Sequence, residues 1–218
     1  MSRVITIEQK ILKKNAEIAE ENRRRFDEAG VFAVTLVGSP GSGKTSLLER
    51  ALPLLARDCR VGVIEGDVQT DRDARRIGAL DVPVVQIVTH GTCHIEARMI
   101  EEALPAMDLA ALDLLFIENV GNLVCPASYE LGEHLRVVVL STAEGEDKPL
   151  KYPAMFRKSD ALVLSKTDLV PVLPYNLEEA KEYARRVNPR LEIFETSCRT
   201  REGIEAWAGW VRARAGRA

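Results

Sequence analysis

The chain has 218 residues, 46% of them hydrophobic and 29% charged, enough for one globular domain with a sizeable core and too little for two full ones. A net charge of -3 offers no basic footprint, so nucleic acid is not an expected partner. Cys59, Cys93, Cys125 and Cys198 are widely spaced, no apolar leader precedes them and no apolar run nears the ~20 residues of a membrane span, so we expect free thiols in a reducing cytoplasm and no membrane contact.

Residues 6–29 come first. Ile7, Ile11, Leu12, Ala16, Ile18 and Phe26 recur among dense charge at roughly helical spacing. This predicts a helix with a thin apolar stripe lying along one side of the core.

Seven short apolar runs follow: 32–37, 60–66, 82–88, 112–120, 135–142, 160–166 and 191–197. Most are continuous rather than alternating, as in parallel strands covered on both faces. Stretches of helical composition separate them. The expected fold is α/β: a doubly wound, mostly parallel sheet of about seven strands flanked by helices. Ligands of such sheets bind at the carboxyl ends of the strands, so the residues after each run carry the functional argument.

After FAVTLV stands Gly38-Ser39-Pro40-Gly41-Ser42-Gly43-Lys44-Thr45, which is G-x-x-x-x-G-K-S/T between a strand and a helix. Its glycines let successive N–H groups turn in around phosphate oxygens, and the helix start adds its positive dipole end. Lys44 supplies a point charge to the β- and γ-phosphates and Thr45 a hydroxyl for Mg²⁺. Gly38, Ser39, Gly41, Ser42, Gly43, Lys44, Thr45 and Ser46 are therefore assigned to the phosphates.

The run at 60–66 leads into Glu65, Asp67, Asp71 and Asp73. Asp67 and Asp71 are candidates for holding Mg²⁺ or orienting an attacking water, although Asp71 also suits a helix cap. The run at 82–88 leads into Cys93-His94. The run at 112–120 ends on Glu118, an acid placed to serve Mg²⁺ directly or through water. Gly121 leaves the backbone room to approach a γ-phosphate, and Cys125 follows seven residues after Glu118. Lys148 and Lys151 follow the fifth run and are either solvated or able to reach nucleotide across a dimer.

Ser165-Lys166-Thr167-Asp168 ends the sixth run, where G-domain proteins carry N-K-x-D. Asp168 can accept from guanine N1–H and the exocyclic amine, whereas adenine presents an acceptor there. Lys166 can cover the base plane, and Ser165 replaces the usual asparagine. Ser197 and Cys198, after the seventh run, resemble a loop whose backbone N–H groups contact the guanine carbonyl. The expected nucleotides are GTP and GDP, and Lys44, Asp67, Asp71 and Glu118 are the expected hydrolytic machinery.

Cys93, His94 and Cys125 make an S/N/S donor set for Zn²⁺ or Ni²⁺. Each has an ordinary reading as well, a cysteine as a small hydrophobe and a histidine as a structural group. That ordinary reading is the one given to Cys59 and, for its thiol, to Cys198.

The segments GSPGSGKTSLL, IEGDVQTDRDARRI, THGTCHIEA, FIENVGNLVCPASYELGE, STAEGEDKPLKYPAMF and SKTDL together resemble the HypB family, nickel-insertion GTPases of nickel–iron hydrogenase maturation. The resemblance runs in order across most of residues 31–170. It implies a SIMIBI-class P-loop GTPase domain over 31–218 with the helix of residues 1–30 packed on it. It also implies a GTP-dependent homodimer, a regulatory nickel or zinc site at Cys93, His94 and Cys125, and two partners, a HypA-type metallochaperone and the hydrogenase large subunit. Some family members carry an N-terminal cysteine motif or a histidine-rich stretch; residues 1–30 hold neither Cys nor His, which puts the weight on the G-domain site. The urease-type GTPase reads C-P-H at its site and this chain reads C-H. Urease-type or B12-type metallochaperones, a P-loop kinase for a small metabolite and a metal-storage protein with an idle nucleotide loop are the rival readings.

Overall fold

The structure, a computed structural model, describes residues 7–69 and 72–216. Asp71 lies outside the described residues. All seven apolar runs are strands: β1 Phe32–Gly38, β2 Val61–Asp67, β3 Val84–Val88, β4 Leu114–Glu118, β5 Leu135–Ser141, β6 Ala161–Ser165 and β7 Glu192–Glu195. They form one sheet in the order β3-β2-β4-β1-β5-β6-β7, and every pairing is parallel. The sheet is thus more uniform than the mostly parallel one expected.

The helices are α1 Ile7–Ala29, α2 Lys44–Leu55, α3 Arg72–Gly78, α4 Ala97–Ala103, α5 Lys148–Lys151, α6 Pro153–Arg157, α7 Leu177–Val187 and α8 Ile204–Arg214. Helix α4 begins only at Ala97, so Cys93–Glu96 is irregular backbone. Among the described residues no helix is long and apolar enough to cross a membrane.

Continuous apolar runs arise because both sheet faces are covered. Along β4, Leu114 and Phe116 join α2 and α8 through Leu47, Leu48, Leu52 and Trp207. Leu115 and Ile117 face the opposite way, toward Phe26 of α1 and Ile100 of α4. The period of two sends neighbours to opposite layers, and both layers are dry. Cys59 is buried in the first of these cores, as a small hydrophobe would be.

Trp207 is fully buried beside Phe116, with ring centroids 6.1 Å apart. Trp207→Ala is expected to cost ~3–5 kcal/mol through lost transfer energy and the cavity left behind. Urea unfolding monitored by circular dichroism would read this as a lower midpoint at an unchanged slope.

The apolar stripe expected on α1 packs only in part: Phe26 is buried and Leu12 and Ile18 are half-buried. The buried positions are Asn15, Ala19, Asn22 and Phe26, spaced as one helical face. Ile11 is 47% exposed and Ala16 is exposed too. Two asparagines occupy places where helical periodicity leads one to expect apolar side chains; both Nδ2 groups and Asn15 Oδ1 are hydrogen-bonded, which offsets much of the burial cost, while Asn22 Oδ1 has no partner among the described residues.

Candidate nucleotide and metal site

The carboxyl ends of β1, β2 and β4 meet around a cleft of about 400 Å³ lined by Gly41, Gly43, Lys44, Thr45, Ser46, Glu65, Asp67, Glu118, Gly121 and Lys166 among others. Gly43 caps α2 at φ 100°, left-handed backbone that strains a side chain. Gly121 is needed for closeness: a Cβ there would lie 2.7 Å from Pro40 backbone, so the loop after β4 rests directly on the phosphate loop.

Lys44 is buried, its Nζ donating to Ser39 O at 3.3 Å and Gly38 O at 3.4 Å. Burial pushes its pKa down, while the Glu118 and Glu144 carboxylates push it back up. An ammonium group so desolvated is poised for an anion. Thr45 Oγ1 donates to Glu118 Oε1 at 2.7 Å. Burial raises the Glu118 carboxyl to about 7, against the pull of Lys44.

Glu65 pairs with Glu118 in the β2–β4 register, and burial, followed by Glu118 and Asp67, raises it to about 8. Among the described residues Glu65 Oε2 and Glu118 Oε2 are buried without a hydrogen-bond partner. This all-oxygen set beside a phosphate cradle suits Mg²⁺. Asp67 lines the same cleft, with Oδ1 accepting from Gln69 N at 2.8 Å. Sequence reasoning passed over Glu65 and Arg76 as site residues. An acid inside the apolar run VIEGD was the available signal for Glu65. Arg76 donates to Ser46 Oγ, Glu49 and Asp73 and was not marked by any motif.

At the base end, Lys166 Nζ donates to Gly41 O at 2.7 Å. Asp168 Oδ1 accepts from Ser197 Oγ at 2.6 Å. Ser165, where asparagine is usual, braces the phosphate loop through its hydroxyl, which donates to Ser42 O at 2.5 Å. The Ser197 N–H donates to Glu202 O, and Cys198 O accepts from Arg50 Nε. The Cys198 thiol is pushed up by burial. Lys151 pairs with Asp147, and Lys148 lies 5.8 Å from the Tyr152 ring centroid; neither lines the cleft.

Cys93, His94 and Cys125 come together, with one ligand atom from each within 4.8 Å of the others. Cys93 Sγ is 2.8 Å from Cys125 Sγ and 3.8 Å from His94 Nδ1. The cysteines are free and both reach the surface. The neighbouring Cys93 thiol, with a smaller contribution from burial, raises the Cys125 pKa.

His94 is buried against Tyr129, with ring centroids 4.0 Å apart. Burial lowers its pKa, opposed by Glu96, so the imidazole is neutral at pH 7, the form a metal binds. Its Nε2 lies 3.5 Å from Glu96 Oε1, and its Nδ1 lies on the side of Cys93 Sγ. Three soft or borderline donors leave a coordination position open, as in sites that exchange their metal or water.

The two sites share one piece of chain. Asn119, next to Glu118, accepts from Ile95 N with Oδ1 at 3.0 Å, and Ile95 follows His94. Asn122 donates its backbone N–H to Gly38 O at 2.8 Å. Its side-chain oxygen accepts from Val124 N and Cys125 N. Segment 118–125 therefore touches Thr45 at one end and Cys93 at the other.

Comparison with known proteins identifies the family. Residues 32–195 match the family model "CobW/HypB/UreG, nucleotide-binding domain". The hydrogenase maturation factor HypB of Azotobacter vinelandii is 53% identical over 215 residues, covering 99% of this chain and 71% of that relative. Among solved structures, HypB from Helicobacter pylori in complex with nickel superposes with a TM-score of 0.89 at 40% identity, covering 93% of this chain and 95% of the other. HypB from Archaeoglobus fulgidus gives 0.87 at 37%, covering 93% and 99%. With the phosphate cradle, the S/N/S cluster and the bridging segment all in place, the chain belongs to the HypB family of hydrogenase maturation factors, P-loop proteins of the CobW/HypB/UreG group.

Proposed function

We propose that the protein is a GTP-hydrolysing metallochaperone of the cytoplasm, carrying Ni²⁺ as cargo at Cys93, His94 and Cys125, with Zn²⁺ as the competing ion. In this reading it dimerises with GTP bound and works with a HypA-type metallochaperone to load the hydrogenase large subunit. The observation that supports it is segment 118–125, whose ends join the phosphate-sensing carboxylate to the thiol of the S/N/S cluster.

The steps follow from the groups present. The N–H groups of residues 41–45 and the Lys44 side chain receive the phosphates, and Asp168 selects guanine by accepting from N1–H and the amine. Mg²⁺, held by Thr45, Glu118 and Asp67, would neutralise charge on the β- and γ-phosphates. Asp67 and Asp71 are the acids proposed to orient the attacking water. Gly121, packed on Pro40, cannot stay in place if the phosphate loop adjusts to a γ-phosphate. That adjustment passes to Asn122 and so to Cys125, while Asn119 passes it to Ile95 and His94. Nucleotide state and metal grip are then coupled, and the coupling acts in both directions.

The expected result is a change of at least about fivefold in Ni²⁺ affinity, the lower end of typical coupling, between protein loaded with GDP and protein loaded with a non-hydrolysable GTP analogue. Isothermal titration measures it, with sedimentation velocity on the same samples reading dimer formation. Identical affinity, stoichiometry and absorption spectrum in the two states would remove the coupling.

A further inference from the structure

Helix α1 bonds main-chain atoms just beyond the two stretches that carry Cys93, His94 and Cys125. The three donors ride on two stretches of chain, 93–94 and 125, and neither lies in a long regular element: Cys93–Glu96 is irregular, and Cys125–Ser128 is a single 3-10 turn. Backbone of this kind has little internal restraint. Each stretch soon runs into residues bonded by the same helix.

Asn15 Oδ1 accepts from Ala97 N at 2.8 Å, and Asn15 Nδ2 donates to Glu130 O at 2.8 Å. Asn22 Nδ2 donates to Ala97 O at 2.8 Å and to Leu131 O at 3.1 Å. Ala97 lies three residues past His94, and Glu130 directly follows Tyr129, whose ring packs on His94. Each asparagine alone therefore spans the two ligand-bearing stretches. Their amide orientations are dictated by chemistry, since Nδ2 faces carbonyl oxygens in both and Asn15 Oδ1 faces an N–H. Arg23, one residue further, adds bonds to Gly132 O and Glu133 O.

We propose that Asn15 and Asn22 are positioning residues of the metal site, setting the separation of the Cys93–His94 stretch from the Cys125–Tyr129 stretch. This rests on the reading of Cys93, His94 and Cys125 as metal ligands. All four bonds go to main-chain atoms, so the two amides fix backbone spacing whatever side chains those partners carry. Without them α1 can still pack through Ala19 and Phe26, but the sulfurs and the imidazole lose their outer frame. Outer partners of metal ligands typically contribute 10–100-fold in affinity.

The decisive variants are Asn15→Leu and Asn22→Leu. Leucine keeps the branched skeleton of asparagine while removing every donor and acceptor, and any stability lost from the unpaired main-chain groups is read separately in the thermal midpoint. The nucleotide-free full chain is titrated with Ni²⁺ alone, reading affinity and the thiolate-to-nickel absorption band, with GDP affinity and thermal midpoint measured in parallel. The expected result is a 10–100-fold loss of Ni²⁺ affinity and a weakened or shifted band, with GDP affinity within about twofold of the parent. Parent-like Ni²⁺ affinity and band in the folded leucine variants overturn the proposal. Should Asn22→Leu fail to fold, Asn15→Leu decides. Should that fail also, Asn15→Asp decides, since it keeps the acceptor for Ala97 N–H and removes the donor to Glu130. Cys125→Ala, run alongside, separates the two failures. Ni²⁺ affinity lost there but kept in the asparagine variants overturns only the positioning role. Affinity kept in Cys125→Ala removes the metal-site reading, and this proposal with it.

Discussion

Lys44→Ala is expected to lower kcat for GTP hydrolysis by about 10²–10³-fold, the range for removing one preorganised charge-stabilising donor and equivalent to ~2.7–4 kcal/mol. The Lys44 ammonium sits buried between phosphate-loop carbonyls and the Glu118 carboxylate, so an incoming phosphate meets a cation already stripped of water. Alanine leaves the glycine cradle in place but removes that charge. A steady-state phosphate-release assay measures the loss. Ni²⁺ binding to the nucleotide-free variant should match the parent, because Lys44 does not touch the S/N/S cluster. A folded Lys44→Ala protein without Ni²⁺ affinity would show that the two sites cannot be separated, and an unchanged kcat would take Lys44 out of the machinery.

The second large effect is at Cys125. Cys125→Ala removes one of three donors and should weaken Ni²⁺ at least about 100-fold, above the range for losing an outer partner, while GDP affinity stays near the parent value. The pH dependence provides an independent check. A thiol must lose its proton to bind metal, and the Cys125 pKa is raised by the neighbouring Cys93 and by burial. Between pH 7 and 8 its thiol is still largely protonated, so parent affinity should rise with pH. His94, with its lowered pKa, stays neutral over that interval and adds no slope. In Cys125→Ala the slope of log affinity against pH should be shallower by about one proton. Equal slopes and equal affinity would mean that Cys125 is not a ligand.

Much of this was legible in the sequence. The seven strands were visible because a sheet covered on both faces needs continuous apolar runs, and β1, β4, β5 and β6 supply them. The phosphate loop was visible because its glycines, Lys44 and Thr45 are chemically required at fixed spacing. Cys93 and Cys125 could be expected near each other because each follows a strand of one parallel sheet and so emerges on the same edge.

Other features were not fully legible. Ser165 looked like a loss of the asparagine amide, yet its hydroxyl reaches Ser42 O on the phosphate loop, 123 residues earlier in the chain. Asn119 and Asn122 carry no motif signal of their own, yet their side chains and backbone join the two sites. The face of α1 was legible only in part, because Phe26 packs on the core but Ile11 and Ala16 are exposed while Asn15 and Asn22 are buried.

The sequence by itself determined the order of strands and helices, the phosphate cradle and the inventory of soft ligands. Each of these is written in local spacing, either the period of apolar residues or the motif a phosphate demands. Only the tertiary structure decided which polar groups are buried and whom they hold. A buried amide is stable only where distant carbonyls and N–H groups meet its donors and acceptors, and those positions exist only after the sheet has been assembled and α1 has docked on it.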